Sequence, residues 1–130
     1  MYTDGSAPTP SPWVSGTHWT KDRDYLRGLD LFDQRYYWES HEVWEGMWHQ
    51  VPRDSSFSLL LQALIQAGAY TIKIHSGRQS AAEKLLERVR MRLLQVEVQE
   101  GAPYCGLVPS VVLERLESFA AGGPWPSLHH

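Results

Sequence analysis

The sequence has a single cysteine, little net charge and no apolar run of full membrane-spanning length. Because Cys105 stands alone, it can form neither an intrachain disulfide nor a cysteine metal cluster, which favours a reducing, cytoplasmic location. Twelve basic residues against fifteen acidic ones leave a net charge of −3, so we expect no nucleic-acid partner. The longest apolar stretch, residues 57–74, is shorter than the roughly 20 residues that a bilayer requires, so we expect no membrane partner.

The remaining composition is that of one globular domain, since 42% of the 130 residues are hydrophobic and 21% are charged. Residues 1–19 are rich in proline, serine and threonine, which predicts a poorly ordered arm. We expect a helical domain over residues 20–122 and a short tail over residues 123–130. The unusual feature is a load of six tryptophans, three of which fall within residues 38–48.

Apolar residues recur at helical spacing in five segments. The pattern predicts helices near residues 21–34, 37–50, 56–76 and 81–97, and a last short helix around residues 112–119. Thr20 is a possible N-cap of the first helix, and Asp54 or Ser55 can cap the third. Ser80 and Glu83 have the spacing of a capping box before the fourth. The sequence therefore predicts an all-α, single-domain protein, a compact bundle of about five helices.

The second predicted helix carries a polar stripe. His41 and Glu45 are one helical turn apart, and Glu42 lies beside them. A histidine and a carboxylate at this spacing can hold a metal ion, or the carboxylate can orient the imidazole for proton transfer. The alternative is an ordinary ion pair on a solvated helix face. The zinc-protease pattern HExxH is not met, because a glutamate occupies the position of the second histidine.

The third predicted helix is apolar almost all round, which places it at the centre of the fold. Gln62 and Gln66 share one face of it, and buried amides require hydrogen-bond partners. We therefore expect a buried polar cluster between the second and third helices. Its candidate members, including two flanking tryptophans, are Trp38, His41, Glu42, Glu45, Trp48, Gln62 and Gln66. Such a cluster either fixes the register of the helices or lines a small pocket.

Two segments resemble the signatures of a known family. Residues 31–42, followed by Glu45 and Trp48, and residues 61–67 are similar to the two motifs of the DUF309 family of small prokaryotic proteins. The similarity extends over about residues 25–95. It implies an all-helical fold and carries with it no established activity, cofactor or substrate.

By position, the polar residues of the DUF309 signature fall on His41, Glu42, Glu45, Gln62 and Gln66, with Trp38 and Trp48 beside them. The chain departs from the family pattern at two places. Arg35 stands where the family usually has glycine, which predicts a different turn between the first two helices. Trp44 stands where leucine is usual, which predicts bulkier packing or a contact surface.

These observations favour a non-enzymatic binding or interaction module. We expect a homodimer with aromatic anchors, because aromatic residues are enriched in protein interfaces. The candidate anchors are Trp13, Trp19, Trp44 and Trp125. The alternative is a metal-dependent hydrolase or acid–base enzyme, in which His41 and Glu45 are ligands of a divalent metal and Glu42 is the general base. The pattern favours no other cofactor, and it identifies no small-molecule ligand.

Overall fold

A computed structural model describes residues 18–128, beginning with a short 3₁₀ turn at His18–Lys21. Five helices follow: α1 Arg23–Asp33, α2 Tyr37–Trp48, α3 Ser56–His75, α4 Gln79–Glu100 and α5 Pro109–Ala120. Across this part of the chain there is no strand, only an isolated bridge between Tyr104 and Leu107. The prediction of a single all-α domain of five helices is confirmed. The predicted arm lies outside the described residues apart from its last two positions.

The helix starts follow local hydrogen bonding. Asp22, not Thr20, caps α1, because its side chain accepts from the Tyr25 N–H at 2.8 Å. Ser55 caps α3 as expected, accepting from the Ser58 N–H at 3.1 Å. The predicted capping box of α4 is wrong. The turn after α3 closes with the Arg78 N–H donating to the Lys73 carbonyl, so α4 begins at once at Gln79 and no side chain caps it.

Helix α3 lies between α2 and α4, and α5 packs on α4 and α3. Phe57 and Gly68, on the buried side of α3, contact Tyr25 and Phe32 of α1. By length and composition α3 could also cross a membrane, and 56% of its apolar window is buried inside the protein. The side facing away from α1 and α5 is only partly covered. It forms a stripe at helical spacing, the α3 stripe, made of Leu59, Gln62, Ile65, Gln66, Ala69 and Ile72.

The turn between α1 and α2 keeps the conformation that a glycine would favour. Arg35 has a φ of +71°, in the left-handed region. The Tyr36 N–H donates to the Leu31 carbonyl across this turn at 2.8 Å, and the Arg35 guanidinium stacks on the Trp125 ring at 5.1 Å. Arg35 thus has the left-handed backbone that glycine adopts without strain, and a turn different from the family's stays a prediction. A left-handed backbone is sterically unfavourable for arginine. Its side chain, however, contacts Trp125 in the C-terminal segment.

The tryptophans are divided between core and surface. Trp44 is 0% exposed, so it cannot anchor a dimer. Of the two alternatives expected at this position, the structure therefore shows bulkier packing and not a contact surface. Room for its indole comes from Gly28 of α1, where a Cβ atom would lie 2.0 Å from Trp44 Nε1. Trp19 and Trp125 are partly buried and pack against the core, whereas Trp13 lies outside the described residues.

The segment after α5 returns to the body of the protein. Trp125 stacks on Tyr37, and the backbone N–H of Leu128 donates to Asp33. The Arg115 guanidinium donates to the Ser127 carbonyl at 3.0 Å. These contacts fix residues 123–128 against α1, α2 and α5.

Candidate functional site

The polar stripe of α2 faces solvent. His41 Nε2 lies 2.8 Å from Glu45 Oε2, with 29% of the histidine side chain and 53% of the glutamate side chain exposed. Glu42 is exposed next to this pair, and the Trp38 ring lies 5.2 Å from the His41 ring. The geometry is that of an i, i+4 pair on a helix surface. The expectation of a buried cluster is wrong for these α2 residues.

The two glutamines of α3 accept hydrogen bonds from α4, on the side away from α2. Arg92 of α4 donates from Nη1 to Gln66 Oε1 at 2.9 Å and from Nε to Gln62 Oε1 at 3.4 Å. The predicted partners on α2 were therefore wrong. The physical reason is the close packing of α4 alongside α3, which brings a guanidinium with five donors over two amide oxygens.

The sequence pattern did not indicate Arg92 as a hydrogen-bond donor to α3, because α4 has a strongly mixed charge pattern that is typical of a solvated face. The spacing of Arg92 from apolar residues could have indicated it. Arg92 lies three residues after Val89 and four before Val96, both of which are buried. A long side chain at the edge of an inward face can bury its stem and direct its head group along the neighbouring helix.

Four of the seven candidate residues line one cleft between α2 and α3. This cleft has a volume of about 160 Å³ and is lined by Glu45, Trp48, Gln62, Ile65 and Gln66. The Arg53 guanidinium stacks on the Trp48 ring at 3.8 Å. The indole Nε1 of Trp48 is buried and has no hydrogen-bond partner among the described residues. An unmet buried donor costs about 1–3 kcal/mol, so an acceptor beside Trp48 would be stabilising.

Two further candidates line a second cleft nearer the start of α2. Its volume is about 250 Å³, and its lining residues are Tyr37, Trp38, His41, Ala69, Ile72 and Lys73. The His41–Glu45 pair links this cleft to the first one, because each cleft contains one of the two side chains. Glu42 lines neither cleft.

A third cleft, of about 320 Å³, lies on the other side of α3. It is lined by Leu59, Arg88, Met91, Arg92 and Gln95. Sequence reasoning did not identify any of these residues as part of a site. The signal available was Met91, an apolar residue on the charged side of α4, and it is 69% exposed.

Together the three clefts follow the α3 stripe. We call the surface formed by this stripe and its flanking α2 and α4 residues the open face. Large apolar side chains stand out on it: Trp38 is 61% exposed and Ile72 is 44% exposed, in addition to Met91. Exposed apolar side chains beyond scattered single ones are typical of interaction sites.

The two borders of the open face carry opposite charge. Glu45 lines the α2 border, with Glu42 exposed three residues before it; Arg88 and Arg92 line the α4 border, with Lys84 exposed one helical turn before Arg88. Over residues 18–128, neither Glu42, Lys84 nor Arg88 takes part in an ion pair. Two cations, Arg53 and Lys73, stand near the ends of the acidic border.

A metal site would have few protein ligands. Within the described part of the chain, no group of three or more histidine, cysteine, aspartate or glutamate side chains is placed to hold a metal ion. The candidate ligands His41 and Glu45 form a group of two.

Burial raises the pKa values of several buried tyrosines and of Cys105. Burial raises the pKa of the Cys105 thiol from 9.0 to about 12, with the Glu100 carboxylate acting in the same direction. Burial likewise raises the pKa of Tyr37 to about 12. A thiol with a raised pKa is a poor nucleophile, in agreement with a structural role for Cys105.

Comparison with known proteins identifies the helices that build the candidate site. The model of the DUF309 family, described as a domain of unknown function, matches residues 25–85. Residues 25–85 are therefore similar to a DUF309 domain. This segment contains most of α1, all of α2 and α3 and the first third of α4, including both predicted motifs. Arg88, Met91 and Arg92 of the open face lie beyond the matched residues. Searches of curated proteins and of solved structures found no match.

Proposed function

We propose that this protein is a non-catalytic binding module and that the open face is its contact surface for another protein. The observation that carries the proposal is the incomplete burial of α3. By length and composition this 20-residue helix could span a bilayer; 56% of its apolar window is buried within the protein, and the α3 stripe is half-buried apart from the exposed Ile72. A helix of this composition gains free energy when its remaining apolar stripe is also removed from water.

The clefts support a macromolecular partner over a large cofactor. Two of them, of about 160 and 250 Å³, lie below the lower limit of about 300 Å³ for small-molecule pockets, and the third, of about 320 Å³, lies just above it. Three such clefts in a row along one helix suit separate side chains of a partner. Trp38 and Met91 provide the kind of apolar anchors that are enriched at interface centres.

Hydroxyl-radical footprinting tests this proposal. We expect Trp38 and Met91 to be oxidised several-fold more slowly in cells than in dilute purified protein, because a bound partner covers them. Tyr36 is the control, since it is 51% exposed and lines none of the three clefts. Equal oxidation rates in cells and in dilute solution at Trp38 and Met91 would contradict the proposal.

A second candidate function is metal-dependent hydrolysis or acid–base chemistry on α2. The observation in its favour is the 2.8 Å contact between His41 Nε2 and Glu45 Oε2, beside the exposed carboxylate of Glu42. Its metal-dependent form requires stoichiometric divalent metal in protein truncated before His129, and loss of that metal in the His41→Ala variant. Metal content that is unchanged by His41→Ala would contradict the metal-dependent form.

A further inference from the structure

We infer that the partner on the open face is a second copy of this chain, in a twofold dimer whose axis runs parallel to α3. The inference rests on the proposed function, since it names the partner of the same surface. It starts from the charge on the two borders, acidic along α2 and basic along α4, with α3 between them.

A twofold axis parallel to α3 makes this charge pattern self-complementary. Rotation about such an axis exchanges left and right, so the α2 border of each copy meets the α4 border of the other. Glu42 then faces cations such as Arg88 of the second copy, and symmetry repeats the contact. An axis perpendicular to α3 within the same surface would instead oppose acidic border to acidic border. The charge pattern therefore favours the axis parallel to α3 over the perpendicular axis.

The same axis brings the apolar parts of the two open faces together. The stripe of α3, with Ile65 near its middle, would pack against the same stripe of the second copy. A helix of 20 residues is about 30 Å long, and three helices side by side span roughly 20 Å. The open face thus offers roughly 600 Å² of projected area per copy, close to the roughly 800 Å² per partner of a standard interface.

The charges that have no ion-pair partner support a second copy as the partner. Glu42 and Arg88 have no ionic partner elsewhere in residues 18–128, so both are available to a second copy. Attraction between such charges is screened by salt. The dissociation constant of the dimer is therefore expected to rise with ionic strength.

Charge reversal with sedimentation equilibrium tests the arrangement. Glu42→Arg and Arg88→Glu are each expected to raise the dissociation constant at least about tenfold, because each places like charges together at two symmetric contacts. An equimolar mixture of the two variants should recover dimers, since every contact then pairs opposite charges. Glu114→Arg makes the same charge change on α5 and should dimerise like the unmodified chain. Helical circular dichroism checks that each variant is folded.

The outcomes separate the two proposals. Reversed variants that dimerise as tightly as the unmodified chain, or a mixture that recovers no dimer, would overturn the twofold arrangement. A chain that stays monomeric at all concentrations would overturn the second copy as partner. If Trp38 of such a monomer is still protected from oxidation in cells, the face binds a different protein and the proposed function stands.

Discussion

Replacing Gly28 by alanine tests how the structure accommodates Trp44. A Cβ atom at position 28 would lie 2.0 Å from Nε1, 2.3 Å from Cε2 and 2.7 Å from Cδ1 of the Trp44 indole. These contacts are far inside van der Waals distance, and the ring is 0% exposed, so the ring must move within a packed core. It would also weaken its 3.4 Å hydrogen bond to the Tyr25 carbonyl.

The magnitude follows from two destabilising terms and one stabilising term. Overpacking a core costs about 1–3 kcal/mol, and loss of the indole acceptor adds about 1–3 kcal/mol. Alanine in place of glycine within a helix returns about 1 kcal/mol. We therefore expect Gly28→Ala to lower the free energy of unfolding by about 1–5 kcal/mol. Gly46→Ala on α2 is the matched control, because a Cβ there meets nothing within 4 Å and should raise stability by up to about 1 kcal/mol.

A double-mutant cycle isolates the contact. In the Trp44→Leu background the clash is absent, so Gly28→Ala should become neutral or stabilising by up to about 1 kcal/mol. Urea unfolding followed by far-ultraviolet circular dichroism measures all four proteins without depending on tryptophan fluorescence. The packing argument is refuted if Gly28→Ala behaves like Gly46→Ala in the unmodified chain.

The other predictions concern the turn, the α3–α4 link and the thiol. Arg35→Gly should be more stable than Arg35→Ala by about 1 kcal/mol in urea unfolding, because the φ of +71° suits glycine; equal stabilities would contradict this. Arg92→Ala should cost about 1–3 kcal/mol, since it leaves two half-buried amides unpaired, whereas His41→Ala should cost under about 0.5 kcal/mol; the reverse order in thermal unfolding would contradict the hydrogen bonding seen here. At pH 8 the folded Cys105 thiol should react about a thousandfold more slowly with iodoacetamide than the unfolded thiol, because its pKa rises from 9.0 to about 12; similar rates would show that the thiol is not buried. The same shift stabilises the fold below pH 9, and this contribution is lost as the pH rises towards 12, because only the unfolded thiol loses its proton in that interval.

The fold was largely predictable because its strongest signals are local. The five apolar periodicities predicted five helices, and the composition of α3 predicted its central place. The capping box at Ser80 failed because a helix start depends on how the preceding turn closes. Here the Arg78 N–H bonds to Lys73, which begins α4 too early for Ser80 to act as its cap.

The sequence indicated which α2 and α3 side chains lie near one another, but not their hydrogen-bond partners; that they form a site stays a prediction. Glu45, Trp48, Gln62 and Gln66 do line one cleft, because helices joined by a short turn bring these faces together. The partner of the glutamines was missed, since the register of α4 on α3 is set by packing between residues 26 and 30 positions apart. For the same reason, nothing near Trp44 in the sequence indicated that Gly28 makes room for it.

The most direct test of contact through the open face is a distance between two copies. A spin label attached to Ser76→Cys, at the exposed end of α3, would report it by pulsed dipolar spectroscopy, because the native Cys105 is buried and remains unlabelled. With the twofold axis parallel to α3, both labels lie at the same end of the dimer. Since packed helix axes are about 8–10 Å apart, we expect a label separation of roughly 25 Å or less. A separation well above the helix length of about 30 Å, or no dipolar coupling at concentrations that should favour a dimer, would contradict the arrangement.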